Sequence, residues 1–70
     1  MYQVYEYDSG ITYKIGDPHA TKLEALEYVR HDASRYESET KGEVIWNKNN
    51  EGFKVSGLKG SVRMWIKEVE

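Results

Sequence analysis

One stretch of this 70-residue chain carries a helical hydrophobic period, and runs of alternating residues flank it on both sides. Over residues 22–36, Leu26, Val29, Ala33 and Tyr36 recur at the three- and four-residue spacing of a single helix face, with Leu23 and Ala25 at its margins. Thr21 stands where an N-cap belongs and Glu24 follows three places on, the arrangement of a capping box. The period fades over residues 37–41, and Gly42 closes the segment. A lone helix cannot bury its own apolar stripe, so the rest of the chain has to supply a sheet for it.

The flanking runs read as that sheet. Tyr2–Asp8 is dense in aromatics, "DSG" at 8–10 is a turn signal, and Ile11, Tyr13 and Ile15 then alternate with Thr12 and Lys14. These two runs form a hairpin. "GDPHA" at 16–20 interrupts the pattern, because Pro18 keeps Asp17 out of helical geometry. Beyond the helix, Val44 with Trp46, Phe53 with Val55, and residues 62–69 mark three more strands, separated by "NKNNEG" and "SGLKG". The order β-β-α-β-β-β predicts an α+β fold, a single small domain over 1–70. Its sheet is largely antiparallel with one helix packed on one face, and its last three strands form a meander. The expected core is Val4, Ile11, Tyr13, Ile15, Leu26, Val29, Ala33, Tyr36, Val44, Trp46, Phe53, Val55, Val62, Met64 and Ile66.

Composition narrows the setting. Hydrophobic residues make up 39% of the chain and charged residues 31%, the balance of a folded domain rather than a disordered one. There is no cysteine, which excludes a disulfide framework, a thiolate metal site and a cysteine nucleophile, and suits a reducing cytoplasm. "MYQVYEYDSG" has neither the basic nor the apolar region of a secretory signal, Tyr2 and "KEVE" offer no lipidation site, and no apolar run approaches membrane-spanning length. The expectation is a soluble cytoplasmic protein with no membrane partner. Residues 1–43 carry nine acids against five bases and residues 44–70 three against five, so the net charge of −2 divides into −4 and +2.

Catalytic chemistry finds no foothold. His19 and His31 lack the spacing of a metal motif, and Ser9 and Ser34 lack the surroundings of a nucleophile. No catalytic residue, metal ligand or cofactor is assigned, and the chain reads as non-enzymatic. "GLKG" at 57–60 spells the G-x-x-G with which some domains clamp a nucleic-acid backbone, but there the loop joins two helices and here it joins two strands. A glycine-rich hairpin turn accounts for it.

Two surfaces stand out as binding candidates. On the helix, Tyr28 falls opposite the apolar stripe, ringed by Glu24, His31, Asp32 and Arg35 with Glu27 beside it. An aromatic anchor within a charged rim is the make-up of a protein interface. On the sheet, the face opposite Val62, Met64 and Ile66 receives Arg63, Trp65 and Lys67, to which Lys54, Tyr5 and Tyr7 add themselves. Rings among cations suit stacked bases and phosphates, and equally suit a ring shielded by cationic stems or a homodimer contact.

The leading expectation is a small protein-binding module that occupies a partner's surface with its acidic helix. By fold-level analogy, small domains of this kind recur among phage and mobile-element inhibitors of host nucleic-acid machinery, anti-CRISPR proteins among them. The partner would be a host protein or nucleoprotein complex, with Glu24, Glu27, Asp32, Glu37 and Glu39 competing for a basic groove. The alternatives are a single-stranded nucleic-acid binder using the aromatic and basic sheet face, and a homodimeric accessory protein.

Overall fold

A computed structural model of the chain describes residues 1–39, 42–57 and 60–70. The elements run β1 (Tyr2–Asp8), β2 (Ile11–His19), α1 (Lys22–Glu39), β3 (Glu43–Trp46), β4 (Phe53–Ser56) and β5 (Val62–Glu68). They make the expected α+β domain: one five-stranded antiparallel sheet in the order β2-β1-β5-β4-β3, with the helix across one face. β3, β4 and β5 form the meander. β1 closes the sheet by pairing with β5, and the N–H of Val69 donates to the carbonyl of Met1 at 2.7 Å to extend that ladder.

The hairpin between β1 and β2 turns on Ser9 and Gly10, both with positive φ (49° and 97°). This is the mirror-image turn whose twist matches that of the strands it joins. β2 differs from expectation, since it continues through "GDPH" to His19. It can do so because β2 is an edge strand, where the missing N–H of Pro18 leaves no ladder bond unmade. A bulge takes up the extra residues, as Tyr2 pairs with His19 and Val4 with Ile15. The buried Gln3 amide fills that bulge, its Nε2 lying 3.1–3.2 Å from the carbonyls of Val4, Ile15 and Gly16.

The helix links the two edge strands, β2 and β3. Eighteen residues span roughly 27 Å, against about 19 Å across four inter-strand gaps. One helix therefore suffices to cross the sheet. The Thr21 hydroxyl accepts from the Glu24 N–H at 3.2 Å, as the cap requires. The helix runs to Glu39, further than its apolar period reaches; Ser38 Oγ donates to the carbonyls of Ser34 and Arg35 within this last turn.

Val4, Ala25, Val29, Ala33, Phe53, Val55, Val62 and Met64 form the buried core, with Tyr2, Ile15, Tyr36, Val44 and Ile66 packed against it. Three expected core residues are exposed instead: Ile11 (56%), Tyr13 (46%) and Trp46 (37%). They lie on the two edge strands, each of which has a neighbouring strand on one side only. Ala25 is fully buried while Leu26 is half-buried, so the helix is rotated toward its small residues. Alanines at the contact let the helix lie close to the sheet.

Burial separates the consequences of substitution at these positions. Met64→Ala should lower unfolding stability by about 2–5 kcal/mol, a large share of what a domain this small possesses. Ile11→Thr should change it by less than about 0.5 kcal/mol. Urea denaturation of the two variants checks the ranking, and a large loss at Ile11 would contradict the edge position.

Candidate nucleic-acid interface

Antiparallel pairing places cross-strand partners on the same side of a sheet. On β1 and β5, Gln3 pairs with Lys67, Tyr5 with Trp65 and Tyr7 with Arg63; Arg63 in turn pairs with Lys54, and Lys54 with Ile45. On the far edge Lys14 lies opposite Tyr5. All six sheet residues singled out from the sequence, Tyr5, Tyr7, Lys54, Arg63, Trp65 and Lys67, thus share the face away from the helix. The register adds Lys14 and Ile45, which alternate with the helix-side residues Tyr13, Ile15, Val44 and Trp46.

The rings on this face are arranged. Tyr5 and Trp65 stack with centroids 5.8 Å apart and planes 14° from parallel, and the Arg63 guanidinium lies 6.0 Å from the centre of the Tyr7 ring. Among the described residues with a cross-strand partner, four cations, Lys14, Lys54, Arg63 and Lys67, and one carboxylate, Glu43 at the start of β3, stand on this side. Glu6, Asp8 and Glu68 have the opposite parity and face the helix side. Lys54 and Arg63 sit directly across from each other, a like-charge arrangement that disfavours the sheet. Among the described residues neither is paired with a carboxylate.

Where β4 begins, Gly52 approaches β5 so closely that a Cβ would lie 2.5 Å from the Met64 carbonyl oxygen and 3.1 Å from the Trp65 Cα. No side chain can stand there. Beside Trp65 a groove of about 620 Å³ opens, edged by Ile45, Lys48, Lys54 and Arg63. The loop that bounds it is held by the Asn47 N–H donating to the Gly52 carbonyl at 2.8 Å, and by an ion pair between Glu51 and Lys22 of the helix.

The helix candidates are divided by the structure. Glu24, Glu27, Tyr28, His31 and Arg35 are exposed, but Asp32 is 6% exposed and cannot serve on an outer surface. Asp32 lies three residues after Val29 and four before Tyr36, which puts it on the inward stripe; Arg35 Nη2 approaches it at 3.6 Å. Tyr28 does not stand alone in a charged rim, since its ring meets His19 of β2 at 6.0 Å. Lys22, Arg30 and Arg35 intersperse Glu24, Glu27, Glu37 and Glu39, so the outer helix surface is mixed in sign rather than acidic. The "GLKG" motif lies partly outside the described residues. Its Gly57 has a φ of 88°, which fits a strand-to-strand turn.

Among the described residues no cluster of His, Asp and Glu is suited to a metal ion, and no helix is long and apolar enough to cross a membrane. The titratable group most perturbed is Tyr36, whose hydroxyl donates to Glu6 at 2.7 Å. Burial, then that hydrogen bond to a carboxylate, push its pKa well above the ordinary tyrosine value. Burial and Asp32 raise Tyr28 in the same direction. No family model, curated protein or solved structure matches the chain.

The Tyr36 shift gives stability a pH dependence with a definite sign. A raised folded-state pKa means its contribution is whole below the unfolded value of about 10 and is lost as pH rises past it. Denaturant midpoints should therefore fall above about pH 10, and Tyr36→Phe should make that fall shallower while costing about 1 kcal/mol at neutral pH. Equal alkaline slopes in the two proteins would contradict the assignment.

Proposed function

We propose that this protein is a non-enzymatic cytoplasmic binding module that holds single-stranded nucleic acid on its open sheet face. The observation that carries this reading is the composition of that face: a stacked Tyr5–Trp65 pair among Lys14, Lys54, Arg63 and Lys67, with Glu43 the one acid among the described residues paired on it. Single strands present unstacked bases and a run of phosphates, and a surface of rings and cations meets both. A net acidic protein can still bind this way when its acids lie on the other side, as Glu6, Asp8 and Glu68 do. Duplex nucleic acid suits the surface less well, because its bases are already stacked on each other.

A second reading is the protein-binding inhibitor acting through the helix. It is favoured by Leu23, 59% exposed, and Tyr28 on the outer helix surface beside Glu24 and Glu27. The mixed charge of that surface and the burial of Asp32 count against mimicry of nucleic acid. Exchanging Glu24 and Glu27 for lysine separates the two readings, because it abolishes a helix-mediated contact and leaves the sheet face untouched.

Anisotropy of a labelled oligothymidylate measures the leading reading. Trp65→Leu should weaken binding by about 1–3 kcal/mol, the worth of one stacked base. Log K should fall with log salt at a slope of about −0.7 for each phosphate neutralised, and Arg63→Gln should remove about one such increment. Binding that ignores salt and survives Trp65→Leu would contradict a nucleic-acid site on this face.

A further inference from the structure

Resting on that reading, we infer that the groove beside Trp65 is a subsite for a single unstacked nucleotide, its base against the indole and its phosphate between Lys54 and Arg63. Three observations converge on this assignment. Tyr5 covers one face of the Trp65 indole, so the face turned toward β4 is the one left for a ligand. Opposite Trp65 and just before β4 stands Gly52, where the Met64 carbonyl oxygen and the Asn47 side-chain amide leave no room for a Cβ, so no side chain projects from that position toward the indole. The resulting groove is about 620 Å³, within the roughly 300–1,000 Å³ of small-ligand sites. Ile45 on β3, 39% exposed, supplies an apolar wall across β4 from the indole.

The charges are complementary to one phosphate. Lys54 and Arg63 are cross-strand neighbours on the same face, where like charges repel. No carboxylate among the described residues relieves them, and the lining of the groove carries no acid. An anion held between them converts the repulsion into two charge-assisted hydrogen bonds. Lys48, on the loop that bounds the groove, lines it as well and adds a third cation. A ring slot with a two-cation clamp at its mouth fits a nucleotide better than it fits a lone anion or a lone aromatic side chain.

The test uses the intact protein and two small probes, adenosine monophosphate and ribose 5-phosphate, followed by amide and indole resonances in two-dimensional NMR. Adenosine monophosphate should move the Trp65 indole N–H and the amides of Ile45 and Lys54, while ribose 5-phosphate leaves the indole in place. In parallel, Ile45→Glu puts a carboxylate into the groove, and Ser56→Glu puts the same charge on the same face outside it. Both positions are exposed, and Ile45→Glu should weaken oligothymidylate binding at least fivefold more than Ser56→Glu. Equal weakening, or a ribose 5-phosphate response matching that of the nucleotide, would overturn the subsite. An oligonucleotide that binds wild type while the groove resonances stay fixed would refute the subsite and leave the sheet-face reading standing. Failure of both ligands to bind would refute both.

Discussion

Pairing of the first strand with the last is the constraint on which this structure depends. β1 and β5 are the second and third strands of five, so neither the amino-terminal hairpin nor the carboxy-terminal meander completes a sheet until they meet. Their register, Val4 with Ile66 and Glu6 with Met64 on the helix side, aligns the apolar residues beneath the helix. A slip of one residue would turn every side chain of β1 to the other face. That same register brings Tyr5 to Trp65 and Tyr7 to Arg63, so the pairing that makes the core also makes the outer surface. Because these contacts join opposite ends of the chain, they carry a large loop-closure cost and should form late in folding.

The two faces divide the chemistry of the chain between them. The helix side takes nearly all the buried apolar area and also holds Glu6 and Asp32, one bonded to the Tyr36 hydroxyl and the other approached by Arg35. The open side has no helix to cover it and receives rings and cations. Juxtaposing Lys54 and Arg63 there works against sheet stability, and a purely structural face would place an acid opposite one of them. At Gly52 the Met64 carbonyl and the Asn47 side chain leave no room for a Cβ, and the groove opens beside it. A like-charge pair on an open face is a departure from the locally most stable choice, of the kind a binding surface can use.

The architecture was legible in the sequence because its signals were local. The Thr21 cap, the period of Val29 and Ala33, and the alternation of Val62, Met64 and Ile66 each report on their own segment. What was not legible depended on strand order. Ile11 and Tyr13 alternate as a buried strand would, yet β2 lies at an edge and both are exposed there. Pro18 reads as a break, yet an edge strand accommodates it. Asp32 sits on the inward stripe by spacing alone, but a carboxylate is normally placed outside, and only the packed structure shows it turned inward. For the candidate site, alternation was enough to assign six residues to one face. Which of these residues stand beside one another, and the groove beside Trp65, emerge only from the strand order and register.

The central claim is that Trp65 meets a nucleic-acid ligand on the open face. Changing Trp46 to Phe keeps a ring against Phe53 and leaves Trp65 as the sole indole fluorophore. Its emission, titrated with a single-stranded oligonucleotide at low salt, tests the claim most directly. The account predicts quenching that saturates and is reversed as salt rises. Emission unchanged at oligonucleotide concentrations well above the protein's would contradict it and return attention to the helix surface.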